Sequence, residues 1–312
     1  MNYQMPNYLI TIIGPTAIGK TALSIAIAKH FNTEILSSDS RQFFKEMNIG
    51  TAVPNSEELE AVKHHFIQHI SIKDSYSVGH FEKEALLKLD ELFKTHNVAV
   101  MVGGSGLYTD AVLYGLDDFP KVDPHIRINL KLQLEEQGIS FLQEKLKSLD
   151  IETYQNIDLE NHQRLIRALE ICMGTGKPFS SFQNKHKVKR NFIPIKIGLN
   201  ADRQIIYDRI NLRVDLMIEN GLLDEAKQLF KHKDLNALQT VGYRELFACF
   251  EEEITLDFAI EEIKKNTRRF AKRQLTWYRK DTSIKWFDYQ DTPKNIVEWL
   301  GHTIKMNKSQ LF

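Results

Sequence analysis

A glycine-containing segment near the start of the chain constrains the fold more strongly than any other feature. The segment GPTAIGKT spans residues 14–21, follows the apolar run Tyr8–Ile13 and precedes a helical pattern. Its glycines let backbone N–H groups turn toward phosphate oxygens, and the N-terminus of the following helix adds a positive dipole. The lysine adds a point charge, and the threonine hydroxyl can hold Mg²⁺. The segment therefore predicts a phosphate-binding loop that joins a strand to a helix.

This loop predicts a polyphosphate ligand, and the motif alone does not distinguish ATP from another molecule that carries a diphosphate. The residues predicted to bind the diphosphate or nucleotide are Gly14, Pro15, Thr16, Ala17, Ile18, Gly19, Lys20 and Thr21. Thr21 is also the predicted ligand of Mg²⁺, which is the expected cofactor.

Short apolar segments recur along the chain and alternate with helical patterns. They span Tyr8–Ile13, residues 34–37, Val98–Val102, residues 192–199 and, more weakly, residues 284–287. Segments of this length with little polar alternation are typical of strands buried on both faces of a parallel sheet. The pattern predicts an α/β fold with a core like that of the P-loop NTPases, in which helices flank a parallel sheet.

The alternation of strands and helices stops between residues 116 and 191. Only helical patterns occur there, for instance over residues 124–137 and 161–173. An all-helical domain inserted into the α/β core is the simplest explanation. The predicted division is a first part of the core at residues 1–115, the insertion at 116–191 and a second part of the core at 192–312.

The composition is that of a folded protein and excludes a largely disordered chain. Of the 312 residues, 42% are hydrophobic and 26% are charged, and 41 basic residues balance 41 acidic ones. The two cysteines form no CxxC pair, which excludes a cysteine zinc site and a disulfide framework. The N-terminal segment lacks the pattern of a signal peptide, and no apolar run approaches the ~18 residues of a membrane span. We therefore expect a cytoplasmic protein without a membrane partner.

An acidic residue follows the second predicted strand. Asp39 lies just beyond residues 34–37, whereas Val98–Val102 is followed by glycines and Ser105, without the carboxylate that an ATP-hydrolysing protein has there. Because the carboxyl ends of parallel strands converge, we expect Asp39, Ser105 and the phosphate loop to face one crevice. Asp39 would act there as a general base or a metal ligand. Its alternative role is to cap the N-terminus of a helix.

Basic residues are concentrated in one segment despite the zero net charge. Residues 264–280 contain eight Lys or Arg and no acidic residue, whereas residues 251–262 are rich in Glu. Helical spacing places Arg269, Lys272 and Arg273 on one face. Such a basic helix is typical of a nucleic-acid-binding surface. A solvated face without a ligand is the alternative.

Seven motifs occur in order over roughly residues 8–287. They are GPTAIGKT (14–21), SDS (38–40), NIGTA (48–52), VGGSGLY (102–108), QRLIRALE (163–170), VGYRE (241–245) and TRRFAKRQLTW (267–277). Together they resemble the bacterial tRNA dimethylallyltransferases, also called tRNA isopentenyltransferases. The resemblance implies transfer of a dimethylallyl group from dimethylallyl diphosphate to the exocyclic N6 amine of adenosine 37, next to the tRNA anticodon, with release of diphosphate.

The resemblance also implies roles for individual residues. Asp39 matches the catalytic Asp that accepts the amine proton, and a base is needed because the lone pair of the amine is delocalised into the adenine ring. Lys20, Arg213 and Mg²⁺ would stabilise the charge that develops on the diphosphate. Ser105 stands where the family often has Thr and retains the hydroxyl, so it joins Asp39 and Arg213 as a predicted catalytic residue.

The predicted partners are tRNA, bound through its anticodon stem-loop, and dimethylallyl diphosphate. We expect a monomer with no obligate protein partner. The positions that correspond to tRNA contacts in the family are Asp39, Ser40, Arg41, Gln42, Ser105, Arg127, Gln163, Arg164, Leu165, Ile166, Arg167, Gly242, Tyr243, Arg244, Arg269, Lys272 and Arg273. The helical insertion and the basic helix would together grip the RNA.

Two other classes of protein remain compatible with these residues. A small-molecule or nucleoside kinase shares the phosphate loop and the acidic strand end, and the insertion contains Arg164 and Arg167 for a lid over the transferred phosphoryl group. A nucleotide-regulated RNA-binding module would use the basic helix and would not need Asp39 beside the loop. Transfer of a prenyl label, compared with a phosphate label, distinguishes the classes.

Overall fold

The computed structural model describes residues 6–183 and 188–309, in which strands and helices alternate. In chain order the elements are β1 (Tyr8–Ile13), α1 (Lys20–Phe31), β2 (Ile35–Ser37), α2 (Ser56–Ala61), β3 (His64–His65), α3 (Val78–Leu92), β4 (Val98–Val102), α4 (Gly106–Tyr114), α5 (Pro124–Leu149), α6 (Ile151–Asn156), α7 (His162–Thr175), β5 (Ile193–Asn200), α8 (Arg203–Glu219), α9 (Leu222–Leu229), α10 (Tyr243–Phe250), α11 (Leu256–Tyr278), β6 (Lys285–Asp288) and α12 (Pro293–Ser309). No helix in the described part of the chain has the length and apolar character to cross a membrane.

The strands form one parallel sheet in the order β3-β2-β4-β1-β5-β6. β1 lies in the middle, where Ile10 pairs with Val100 of β4 and with Ile195 of β5. Every residue of β1 is buried, which explains why this strand is almost entirely apolar and lacks the alternation of a half-exposed strand. The predicted α/β fold with a parallel sheet flanked by helices is confirmed.

The strand bounds depart slightly from the sequence prediction. β2, β5 and β6 begin one residue later than predicted, and β3 was not predicted at all. β3 consists of His64 and His65, which pair through their backbones with Ile35 and Leu36 of β2. Two residues are too few to produce a period-two pattern, so the sequence gives no signal for this strand.

The phosphate loop joins β1 to α1 through backbone that only glycine adopts easily. Gly14 has φ 144° and Gly19 has φ 108°, values that are strained for residues with a Cβ. A Cβ on Gly14 would also lie 2.6 Å from the carbonyl oxygen of Leu199 in β5. β1, β4 and β2 are neighbours and run in the same direction. The loops that follow them therefore lie at one edge of the sheet.

The chain divides into two compact units. One contains Met1–Leu113 and Arg190–Phe312, and the other is Tyr114–Lys189. The second unit consists of α5, α6, α7 and a short 3₁₀ turn, packed around Leu130, Leu142 and Leu169. Gly138, with φ 77°, interrupts α5 directly after the predicted end at residue 137, and the chain then resumes helical geometry to Leu149.

Helix α11 lies in the first unit and touches both of its main cores. Its N-terminal half contributes Ile263 to a cluster with Tyr243 and Leu246 of α10. Its C-terminal half contributes Ala271 to the cluster built around the sheet. This packing fixes one face of α11 against the sheet edge where the phosphate loop lies.

Candidate active site

Two adjoining cavities lie at the carboxyl edge of the sheet. The first, of about 680 Å³, follows the phosphate loop and is called the phosphate cavity. The second, of about 490 Å³, lies against α11 and is called the α11 cavity. Six residues line both, and Thr16, Asp39 and Arg213 are the ones among them with a predicted role. Each volume is in the range of small-ligand sites, so two ligands can meet at these three residues.

Cationic side chains surround the phosphate loop. The Lys20 ammonium donates a hydrogen bond to the Pro15 carbonyl at 2.7 Å. Arg213 of α8 donates to the Thr16 hydroxyl at 3.3 Å, and Arg209 donates to the carbonyl of Ala17 at 2.8 Å. The guanidinium groups thus bind a hydroxyl and a carbonyl of the loop and occupy none of its backbone N–H groups, which are the donors that an anion needs. The Ile18 side chain is buried in the core, so only its backbone is available to a ligand.

The electrostatics of the loop favour an anionic ligand. Burial lowers the pKa of Lys20 to about 8, Asp39 opposes this shift, and Arg213 adds to it. Burial also lowers the pKa of Arg213, as does Arg209, and Asp39 again opposes the shift. For both side chains, the charged form is therefore less favoured relative to the neutral form here than it is in water. A bound diphosphate would supply the missing negative charge.

The side chains that line the phosphate cavity include few that can bind Mg²⁺. The residues that the structure describes contain no cluster of three or more His, Cys, Asp or Glu able to hold a metal. Thr21 and Asp39 both line the cavity. Mg²⁺ commonly binds through one or two protein ligands together with water and substrate phosphates. The side chains therefore fit Mg²⁺ that arrives with a diphosphate, and they do not form a complete protein cage.

Asp39 lies in a turn just after β2. Its carboxylate accepts the N–H of Arg41 at 3.2 Å, and its own N–H donates to the Ser37 hydroxyl at 3.3 Å. The turn closes with a bond from the Gln42 N–H to the Asp39 carbonyl. The next helix, α2, begins only at Ser56, so the alternative that Asp39 caps a helix is wrong. The carboxylate is half-buried and borders both cavities.

Ser105 connects the loop after β4 to the loop after β2. Its hydroxyl accepts the N–H of Ser40 at 3.1 Å and lies 3.0 Å from the Ser40 hydroxyl. Both serines line the α11 cavity next to Asp39. The predicted convergence of Asp39, Ser105 and the phosphate loop at one crevice is therefore what the structure has.

Gln274 was missed by the sequence reasoning although it joins the two halves of the site. Its side-chain carbonyl accepts the N–H of Thr16 at 2.9 Å, and its amide donates to the carbonyl of Gly104 at 2.9 Å. The side chain is buried, and a Cβ on Gly104 would lie 2.2 Å from its nitrogen. The sequence does carry a signal for it, because helical spacing places this polar residue between Ala271 and Tyr278 on the buried face of the helix. Gln274 therefore fixes the spacing between the phosphate loop and the loop that bears Ser105.

The opposite face of α11 is basic and exposed. Arg269, Lys272 and Arg273 are exposed, as the helical spacing predicted, and Arg273 also lines the α11 cavity. Lys264 and Lys265 lie nearer the start of the helix and form ion pairs with acidic side chains. The positive charge that faces solvent is therefore concentrated in the C-terminal half of the helix.

The other predicted RNA contacts of this unit fall into two groups. Arg244 is exposed on the α11 cavity, and Gly242 lines it through its backbone. Arg41 also lines this cavity and donates to the Ala237 carbonyl at 3.0 Å. Gln42, in contrast, lines the phosphate cavity and donates to the carbonyl of Ala52. Tyr243 is fully buried, so its side chain is not exposed to RNA.

A half-buried acid connects two of the sequence motifs. Glu225 of α9 accepts the backbone N–H groups of Asn48, Ile49 and Gly50 at 2.8–2.9 Å. It also accepts the Tyr243 hydroxyl at 2.6 Å. The NIGTA and VGYRE motifs therefore meet at one carboxylate.

In the second unit, predicted RNA contacts lie on α5 and α7. Glu170 accepts hydrogen bonds from Arg127 at 2.8 Å and from Arg167 at 3.0 Å. Burial would raise the pKa of Glu170, but these bonds lower it below its ordinary value. Gln163 and Arg164 are exposed. The predicted RNA contacts Leu165 and Ile166 are instead buried in the helical core, because the amphipathic phase of α7 turns them inward.

Comparisons with known proteins agree on one family. The family model described as IPP transferase matches residues 42–281. A tRNA dimethylallyltransferase of Christiangramia forsetii is 67% identical over 300 residues, which cover 96% of this chain and 99% of that protein. The corresponding protein of Flavobacterium psychrophilum is 60% identical over 305 residues, again covering 96% and 99%.

Solved structures give the same result. The tRNA isopentenylpyrophosphate transferase from Bacillus halodurans superposes with a TM-score of 0.72 at 37% identity, covering 98% of this chain and 99% of that one. A eukaryotic dimethylallyltransferase acting on tRNA superposes with a TM-score of 0.76 at 27% identity, covering 91% and 74%. On its sequence, its fold and the motifs that meet at the two cavities, the chain belongs to the IPP transferase family, that of the tRNA dimethylallyltransferases.

Proposed function

We propose that the chain transfers a dimethylallyl group from dimethylallyl diphosphate to N6 of adenosine 37 in tRNA, at the junction of its two cavities. The observation that supports this most directly is that Thr16, Asp39 and Arg213 line both cavities. The phosphate cavity has the loop and cations that a diphosphate needs. The α11 cavity opens beside a basic helix and suits a nucleoside. The general base, dimethylallyl diphosphate and the acceptor adenosine can therefore meet at one point.

The reaction is a displacement at the first carbon of the dimethylallyl group. The adenosine N6 forms a bond to this carbon while the carbon–oxygen bond to the diphosphate breaks, and the electron pair leaves with the diphosphate oxygen. Asp39 accepts the proton that N6 loses. Lys20 and Arg213 bind the oxygens on which charge develops. Mg²⁺, held by the Thr21 hydroxyl and the diphosphate, would neutralise part of the same charge.

The remaining site residues position the catalytic groups and the RNA. Ser105 holds the Ser40 N–H, and through it the turn that presents Asp39. Because a stacked loop base cannot reach a carboxylate inside a cavity, adenosine 37 must be turned out of the anticodon loop. Exposed Arg269 and Lys272 of α11, together with Gln163 and Arg164 of the helical unit, are the proposed contacts to the RNA phosphates. One chain supplies all these groups, and we propose that it acts as a monomer in the cytoplasm, where its tRNA substrate is found.

The test uses two RNA stem-loops that differ at one atom group. One carries adenosine at position 37, and the other carries inosine there, which lacks the exocyclic amine. Each is incubated with the protein and dimethylallyl diphosphate labelled in the prenyl group, and a parallel reaction contains ATP labelled in its γ-phosphate. We expect prenyl label in the adenosine RNA alone. Label transfer from ATP to either RNA or to a small molecule would support the kinase alternative, and equal prenyl transfer to inosine would refute the proposed acceptor atom.

A further inference from the structure

Helix α11 presents a stripe of large side chains along the mouth of the α11 cavity. Phe270, Arg273 and Trp277 are spaced at i, i+3 and i+7, so they lie on one face of the helix. All three line the cavity. Phe270 is 37% exposed and Trp277 is 39% exposed. Exposed aromatic rings beside a guanidinium, in the lining of a cavity, suit a partner with a flat apolar surface.

The rings of this stripe are held in place. The Trp277 indole N–H donates to the Asp110 carboxylate at 2.8 Å, and the indole packs against Gly106. The Arg273 guanidinium lies 5.8 Å from the centre of the Phe270 ring. Fixed rings lose little conformational freedom when a ligand stacks on them. The stripe is therefore preorganised for stacking.

Extrusion of the adenosine leaves its neighbouring bases without a stacking partner, and such a surface can replace it. When one base leaves a stacked loop, its neighbours lose stacking on the side that it occupied. Single-stranded bases in protein complexes recover this contact on aromatic rings and on guanidinium planes. Arg269 precedes Arg273 by four residues, about one turn of the helix, and its exposed charge complements the RNA backbone. Unstacked bases would thus arrive together with their phosphates.

We propose that Phe270, Arg273 and Trp277 form a stacking platform for the unpaired bases that flank the target adenosine. The inference rests on the proposed function, because it places the RNA acceptor in the α11 cavity. The platform selects substrates in which the target adenosine lies in a single-stranded loop with stackable neighbours. It acts on RNA binding and base extrusion and does not touch the diphosphate.

The experiment compares Phe270→Leu and Trp277→Leu with the matched control Phe258→Leu. Phe258 lies on the same helix, is 53% exposed and does not line the cavity. Trp277→Phe is the conservative variant that keeps a ring and loses the bond to Asp110. The RNA is an anticodon stem-loop with 2-aminopurine directly 3′ of adenosine 37, because stacking quenches the fluorescence of this base. Circular dichroism and the melting midpoint verify that each variant is folded.

We expect each Leu variant at the platform to raise the KM for the stem-loop by about tenfold, the scale of one lost base–aromatic stack. The bound probe should brighten relative to the wild type, and the Kd for dimethylallyl diphosphate should stay constant. Trp277→Phe should restore the quenching, and Phe258→Leu should match the wild type in both readouts.

Two results would overturn the platform and leave the function intact. One is an unchanged KM and probe signal in the double variant Phe270→Leu with Trp277→Leu. The other is an equal change in Phe258→Leu, which would indicate a general effect of exposed apolar residues. Failure of the proposed function has a different signature, because the wild-type protein would then leave the stem-loop unprenylated before any variant is compared.

Discussion

The lowered pKa of Lys20 makes the binding of dimethylallyl diphosphate depend on pH in a predictable direction. Burial brings this pKa to about 8 in the free protein, so the ammonium loses its proton as the pH rises past that value. A bound diphosphate favours the charged form and raises the pKa again. Binding above pH 8 must therefore take up a proton, and affinity must fall as the pH increases.

The size of the effect follows from the two protonation states. With a pKa of about 8, roughly nine-tenths of the Lys20 side chains are charged at pH 7 and roughly one-tenth at pH 9. If the bound lysine stays charged at both values, the affinity falls about tenfold over this interval. Isothermal titration calorimetry without tRNA measures it, because no acceptor is present and no turnover occurs. Titrations in two buffers of different ionisation enthalpy give the proton uptake, expected to be close to one per molecule bound at pH 9.

Lys20→Arg is the control, because a guanidinium keeps its charge throughout this range. It retains the positive charge and removes the titration, so its affinity should vary with pH only as far as the ligand itself titrates. The difference between the two pH profiles isolates Lys20. Identical profiles for the wild type and Lys20→Arg, or an affinity that increases toward pH 9, would refute the assignment of a lowered pKa to the lysine of the phosphate loop.

Asp39→Asn keeps the shape of the turn and removes the base, so single-turnover kinetics should show a rate at least about 100-fold lower with an unchanged melting midpoint; a parallel loss of stability would mean a structural role. Gln274→Leu should raise the KM for dimethylallyl diphosphate and lower the free energy of unfolding in urea by about 1–3 kcal/mol, because backbone groups lose their partner; a variant with normal kinetics would deny Gln274 its positioning role. Replacing Arg269 and Lys272 by Ala should flatten the salt dependence of tRNA affinity by about one unit per lost phosphate contact, and filter binding at several salt concentrations would expose an unchanged slope. Glu170→Gln should weaken tRNA binding in the same assay with no change in dimethylallyl diphosphate affinity, and an unaffected tRNA Kd would argue against the helical unit as an RNA contact.

Local patterns in the sequence predicted the elements that bring the site together. β1 and the phosphate loop were predictable because a buried strand, two glycines and a helix start leave separate local signals. Asp39 and Ser105 could be placed at one crevice because the ends of neighbouring parallel strands must meet. Gln274 could have been found from the helical phase of Ala271 and Tyr278 and was overlooked.

Other features depend on contacts between distant parts of the chain. Glu170 and Arg127 are 43 positions apart, and Glu225 meets residues 48–50 from 175 to 177 positions away. No local pattern indicates which acid will receive which donor. The burial of Leu165 and Ile166 follows from the phase of α7, whereas the family resemblance marks the whole motif without separating its exposed and buried faces.

The carboxylate of Glu225 acts as an anion that the chain provides for itself. Three successive backbone N–H groups that converge on one point form a nest of the kind that binds phosphate in other proteins. Here Gly50 of the nest lines the α11 cavity, Asn48 and Ile49 line the phosphate cavity, and Glu225 of the same chain occupies the nest. Released diphosphate and RNA phosphates therefore find this nest occupied and are left to the phosphate loop and the basic helix. A Glu225→Ala variant would leave this nest free to bind diphosphate, and we expect its own product to inhibit it more strongly than the wild type.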